Sequence, residues 1–124
     1  MAKKQILTYE QKIFNALDSL PNPLEDKKHR IFIVFDNRRA RSNEDRYEHI
    51  ASFRHELTTH DIKRIPKRLK TSILKKDLER KNTYNLYIER NSFSGEYIKI
   101  SMNLNFKESN KAIVKTIFIT KNLK

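Results

Sequence analysis

Ile98, Ile100, Met102 and Leu104 stand at every second position and alternate with Tyr97, Lys99, Ser101 and Asn103. A period of two sends successive side chains to opposite faces of a strand, and this is the most restrictive pattern in the chain. The segment before it repeats the pattern, with Tyr84, Leu86 and Ile88 alternating with Thr83, Asn85, Tyr87 and Glu89. Between the two runs, Asn91 to Glu96 holds Gly95, the only glycine, and reads as a hairpin loop. Lys107 to Asn110 reads as a second turn. Ala112 to Thr120 is apolar on both faces, as a central strand is. The C-terminal third is therefore expected to be a three-stranded antiparallel meander.

Upstream the period becomes helical. Thr8 and Gln11 have capping-box spacing, and Tyr9, Ile13, Phe14, Leu17 and Leu20 follow at one-face intervals. This predicts a helix over 8–20, ended by Pro21-Asn22-Pro23. Arg30 to Phe35 reads as a short buried strand, and Asp36 to Arg41 as a polar, basic loop. Ser42 with Asp45 opens a second helix whose inner face carries Tyr47, Ile50, Ala51 and Leu57, with Thr58-Thr59 interrupting it. A third stripe, Ile62, Ile65, Leu69, Ile73, Leu74 and Leu78, predicts more helix. Pro66 divides it into a short helix ending near Ile65 and a new one beginning at Pro66. The expected architecture is one α+β domain over 1–124, with N-terminal helices packed on a small, mainly antiparallel four-stranded sheet.

Several chemistries are excluded by what is missing. The chain has no cysteine, which removes disulfides, thiolate nucleophiles and thiolate-bound zinc. A single glycine cannot build a phosphate-cradling loop. No serine lies in a nucleophile-elbow pattern. His55-Glu56-Leu57-Thr58-Thr59-His60 looks like a zinc-protease motif but has one residue too many, so its histidines diverge by about 140° on a helix. No metal and no cofactor are expected. Met1-Ala2-Lys3-Lys4 leads into no apolar signal segment, and no run approaches ~18 apolar residues, so the expectation is a cytoplasmic protein, in a host cell if phage-encoded, without membrane contact.

Net charge is +12, an excess that attracts polyanions. It is concentrated. Lys63, Arg64, Lys67, Arg68, Lys70, Lys75, Lys76, Arg80 and Lys81 face only Asp77 and Glu79 in the same stretch. The strip is expected on the outer surface of the helical segment, where it meets phosphates or is simply a solvated face. His49, His55 and His60 cluster within twelve residues. On an unbroken helix His49 and His60 share a face and His55 points elsewhere. Metal-independent RNA cleavage needs a base, an acid and cationic or hydroxyl groups around the phosphorus, and His, Lys, Arg, Tyr and Thr supply these. Lys99 lies on the polar face of its strand, a position a solvated lysine also takes. Lys115 and Thr116 are expected on opposite faces, so that only one of them can join Lys99.

Arg46-Tyr47-Glu48-His49-Ile50 through Arg54-His55, a helix-rich stretch, paired strands and the closing Val114-Lys115-Thr116-Ile117-Phe118 together resemble the phage-associated branch of the barnase–EndoU–colicin–RelE superfamily of nucleases. The resemblance spans roughly residues 44–120. It implies helices on a four-stranded antiparallel sheet and RNA cleavage without metal. By position it implies His49, His55, Lys99 and Thr116 as catalytic residues, with Arg46, Arg54, Lys63, Arg64, Lys67, Arg68, Lys70 and Lys115 on the RNA. Three functions remain open: an endoribonuclease of toxin or phage-effector type, a non-catalytic nucleic-acid binder, and an inhibitor that binds a host protein. RNA is the expected partner, alongside a cognate inhibitor or a host protein.

Overall fold

The computed structural model describes residues 9–35, 57–91 and 93–121. Helix α1, Tyr9–Asp18, buries Ile13, Ala16 and Leu17, as the one-face spacing requires. Ser19 closes it by donating from its hydroxyl to the Ala16 carbonyl at 2.6 Å. The expected cap at Thr8 lies outside the described residues, as do the loop over 36–41 and the helix opening at Ser42.

After α1 the chain forms a hairpin of β1, Leu24–Asp26, and β2, Ile31–Val34. Its connection is held by the wholly buried Asp26, whose carboxylate accepts from the His29 amide at 3.3 Å and lies 2.7 Å from His29 Nδ1. Arg30 takes a left-handed φ of 58° to re-enter the strand. Asn22 fastens the start of the hairpin to the end of β2. Its Oδ1 accepts from the Phe35 amide at 3.1 Å.

Helix α2 runs over Thr59–Arg68. Thr58 and Asp61 form a reciprocal capping box: Thr58 Oγ1 accepts from the Asp61 amide at 3.1 Å, and Asp61 Oδ2 accepts from the Thr58 amide at 2.9 Å. The two threonines thus start a helix. Pro66 lies inside α2 and does not divide it. Proline's missing N–H removes one intrahelical bond, and the helix has only two residues left to run. A 3₁₀ turn over Leu69–Thr71 follows, and Ser72 ends it by donating from Oγ to the Leu69 carbonyl at 2.6 Å.

The helical stripe fails beyond this point. Ile73–Lys76 forms strand β3 rather than helix. Leu78, assigned to an inner helical face, is 98% exposed, and Ile73 is 39% exposed. Only Leu74 packs against the core. Strands β4, Thr83–Glu89, β5, Tyr97–Asn103, and β6, Lys111–Thr120, form the expected meander.

The four-stranded antiparallel expectation does not hold. The sheet is curled, mixed and six-stranded, in the order β1-β2-β6-β5-β4-β3. Strands β1 and β3 are the unanticipated members, and both are edges. Strand β2 joins β6 in parallel, Phe32 opposite Lys111 through Val34 opposite Ile113. Among the described residues the helices are not gathered at the N-terminal side either: α1 precedes the sheet, and α2 falls between β2 and β3 in the chain. Both lie on one face, where Ile13, Leu17, Ile62 and Ile65 meet Leu86, Ile88, Ile98, Ile100 and Ile117. A fully buried side chain of this size contributes about 1.5–3 kcal/mol. Among the described residues, no helix is long and apolar enough to cross a membrane.

Candidate nucleic-acid interface

The alternation that sends Ile98 and Ile100 into the core sends Tyr97, Lys99 and Ser101 to the other face of β5. Register then fixes their neighbours. One row across the sheet is Asn85, Ser101 and Thr116, and the next is Tyr87, Lys99 and Phe118. The Lys99 ammonium lies 5.7 Å from the Tyr87 ring centroid and 5.3 Å from that of Phe118, within cation–π range of both. Tyr87 meets Tyr97 edge-to-face at 6.5 Å. Burial pushes the Tyr87 phenol above its ordinary 10.0, and the charge of Asp77 acts in the same direction.

This face is polar without being solvated. Thr83, Asn85 and Ser101 are buried on it. Asn85 is 2% exposed, donates through Nδ2 to Asp77 Oδ2 at 3.3 Å, and leaves Oδ1 without a partner. The carboxylate needs a donor, which settles the orientation of the amide. An unmet buried acceptor costs about 1–3 kcal/mol.

Lys115 and Thr116 do not point to opposite faces. Met102 pairs with Val114 and Ser101 with Thr116, so β6 carries an extra residue at a bulge. Two residues then oppose one, and the strict alternation breaks. Lys115 Nζ donates to Thr83 Oγ1 at 2.8 Å, on the face that also carries Lys99. The structure therefore brings Lys99, Lys115 and Thr116 to one face. The signal for the bulge is present in the sequence: Val114 and Ile117 are both apolar and three residues apart, one too many for a regular strand.

The histidine pair His49 and His55, with Arg46 and Arg54, lies outside the described residues. His60 is exposed in the first turn of α2, with the sheet between it and Lys99. His29 is engaged with Asp26.

The basic strip does not lie on one helix. Lys63, Arg64, Lys67 and Arg68 belong to α2, Lys70 to the 3₁₀ turn, Lys75 and Lys76 to the edge strand β3, and Arg80 and Lys81 to the turn after it. Arg64 and Arg68 are half-buried, and Arg68 Nη1 donates to the Glu89 carbonyl at 3.4 Å. Lys63, Lys67, Lys70, Lys76 and Lys81 are exposed and make no ion pair among the described residues. Asp77 is committed to its own turn, where Oδ1 accepts from the amides of Glu79 at 2.9 Å and Arg80 at 3.0 Å. Lysines on an edge strand also deter edge-to-edge pairing, and cations at a helix C-terminus complement its dipole. Those roles explain Lys75 and Lys67 but not the continuity of the strip from one element to the next. Compared with protein-family models, with curated proteins and with solved structures, the chain finds no match.

Proposed function

We propose that this protein binds nucleic acid, RNA foremost, through phosphate contacts along the strip from α2 to the β3–β4 turn. The observation that carries this reading is the run of exposed lysines, Lys63, Lys67, Lys70, Lys76 and Lys81, that lack ion-pair partners among the described residues. Neutralising phosphates releases counterions, so the logarithm of affinity falls linearly with the logarithm of salt concentration, by about 0.7 per contact for single strands. Anisotropy of a labelled single-stranded RNA between 50 and 200 mM salt, roughly the range in which such contacts are weakened, is the test. The triple variant Lys63→Glu, Lys67→Glu, Lys70→Glu weakens binding and flattens the slope. A flat response of the unaltered protein sinks the reading. Cytoplasm, of the cell or of a phage host, is the compartment that supplies such a partner.

A second reading is metal-independent cleavage of the bound RNA, leaving a 2′,3′-cyclic phosphate. It draws support from the placement of Lys99, Lys115 and Thr116 on one face. Lys99 would stabilise the charge on the phosphorus, Thr116 would donate a hydrogen bond to a phosphoryl oxygen, and His49 and His55 would move the protons, as the nuclease resemblance implies. RNA incubated with the protein in EDTA is then cut, and His49→Ala and Lys99→Met abolish cutting while the RNA stays bound. Intact RNA leaves binding alone. Retention of a protein from host lysate after nuclease treatment would instead favour a protein partner.

A further inference from the structure

The β3–β4 turn and the turn after β5 meet at one end of the sheet and enclose a cavity of about 460 Å³. The Leu104 amide donates to the Asn82 carbonyl at 2.8 Å and ties the two turns together. Against this floor Tyr84 and Phe106 stack edge-to-face, with centroids 5.3 Å apart at 84°. Phe106 remains half exposed. Around the rings stand Lys76, Lys81 and Lys107, and among the described residues no acidic side chain lines the cavity. All three lysines are exposed and outside any ion pair among the described residues. Asn105 Oδ1 accepts from the Lys107 amide at 3.1 Å and fixes the turn that carries both Phe106 and Lys107.

A half-exposed phenylalanine could simply cap the end of the core, and its lysines could simply be solvated. Neither explains why aromatic surface and unpaired cations share one concavity of a size that holds small ligands, which occupy about 300–1,000 Å³. Single-stranded nucleic acid is the ligand that needs both, because its bases stack on aromatic side chains while its backbone tracks cations. We infer that this cavity is a nucleotide subsite for single-stranded RNA, with a base against Phe106 and Tyr84 and its flanking phosphates among Lys76, Lys81 and Lys107. This rests on the nucleic-acid-binding reading and deepens it. Lys76 and Lys81 end the basic strip, so a strand following the lysines of α2 along β3 arrives at this cavity.

The test uses the full chain and two fluorescein-labelled probes, an octamer of uridylate and the same octamer with abasic riboses. The unaltered protein binds the uridylate octamer at least about fivefold more tightly, the lower end of what one stacked base contributes. Phe106→Leu, which keeps apolar bulk but removes the π-face, brings the uridylate octamer to the abasic level and leaves abasic binding unchanged. A 4-thiouridine octamer cross-links to the peptides holding Tyr84 or Phe106. Equal binding of the two octamers, or cross-links confined elsewhere, overturns the subsite while leaving phosphate binding along the strip intact. Failure to bind either octamer overturns both readings. Phosphatidylserine vesicles that bind the unaltered protein and displace the octamer, but do neither with Phe106→Leu, overturn the subsite in favour of a lipid surface.

Discussion

Asp77 sits where donors converge: the Glu79 amide first, then the Asn85 side chain and the Arg80 amide. Each favours the carboxylate, so its folded pKa falls below the ordinary 3.8. The ionised group therefore adds stability above 3.8, and that contribution is lost as pH falls through the lowered folded value. The difference in urea midpoint between the unaltered protein and Asp77→Asn closes as pH falls below 3.8 and through the lowered folded value. A difference that stays constant over that window contradicts the assignment. Lys99 offers a second residue-scale check. Its two ring contacts, each about 0.5–1 kcal/mol, are lost in Lys99→Met, which costs about 1 kcal/mol in urea denaturation and leaves the fold intact. Its position on the polar face is legible in the sequence, because Tyr97 and Ser101 flank it with a period of two. The rings of Tyr87 and Phe118 are not, because they become its neighbours only through cross-strand register.

Elements were legible in proportion to their length. Strands β4 and β5 each present several repeats of alternation, β6 a long run apolar on both faces, and α1 a full apolar stripe. Strand β1, Leu24-Glu25-Asp26, is too short to carry a period. Strand β3 exists because β4 pairs with it, Ile73 opposite Tyr87 and Lys76 opposite Tyr84, while its own spacing mimics one more helical turn. The start of α2 has a clear chemical signature in Thr58 and Asp61. Thr58→Ala costs about 1 kcal/mol. Asp61→Ala costs more, about 2 kcal/mol, because the same buried carboxylate also accepts a charged hydrogen bond from Arg90 Nε at 3.0 Å. Chemical denaturation of the two variants gives that order. The bulge in β6 makes a further prediction. Deleting Lys115 leaves Ile113, Val114, Thr116 and Ile117 in strict out-in-out-in alternation. The variant keeps its core and cooperative unfolding, loses the bond to Thr83, and costs about 1 kcal/mol. If deletion abolishes cooperative unfolding, Lys115 is not a bulge residue.

At the scale of the molecule, the charge of +12 works against the compact state. Its melting temperature therefore rises between about 10 and 200 mM sodium chloride, as screening shortens the range of repulsion. A fall over that range would mean that attractive pairs dominate. Composition discloses the charge, and the sequence discloses its clustering, but its path from helix to edge strand to turn depends on β3 and emerges only with the sheet. The parallel pairing of β2 with β6 carries a consequence for synthesis. On the ribosome the β1–β2 hairpin emerges with one side of β2 open, and its partner follows roughly eighty residues later, about 4–16 s at usual elongation rates. For that interval Ile31 to Val34 is an apolar strand with one open edge, its Phe32 amide still waiting for the Asn110 carbonyl, the kind of segment that holdase chaperones shield. The folded yield of this chain is then expected to fall where such chaperones are scarce.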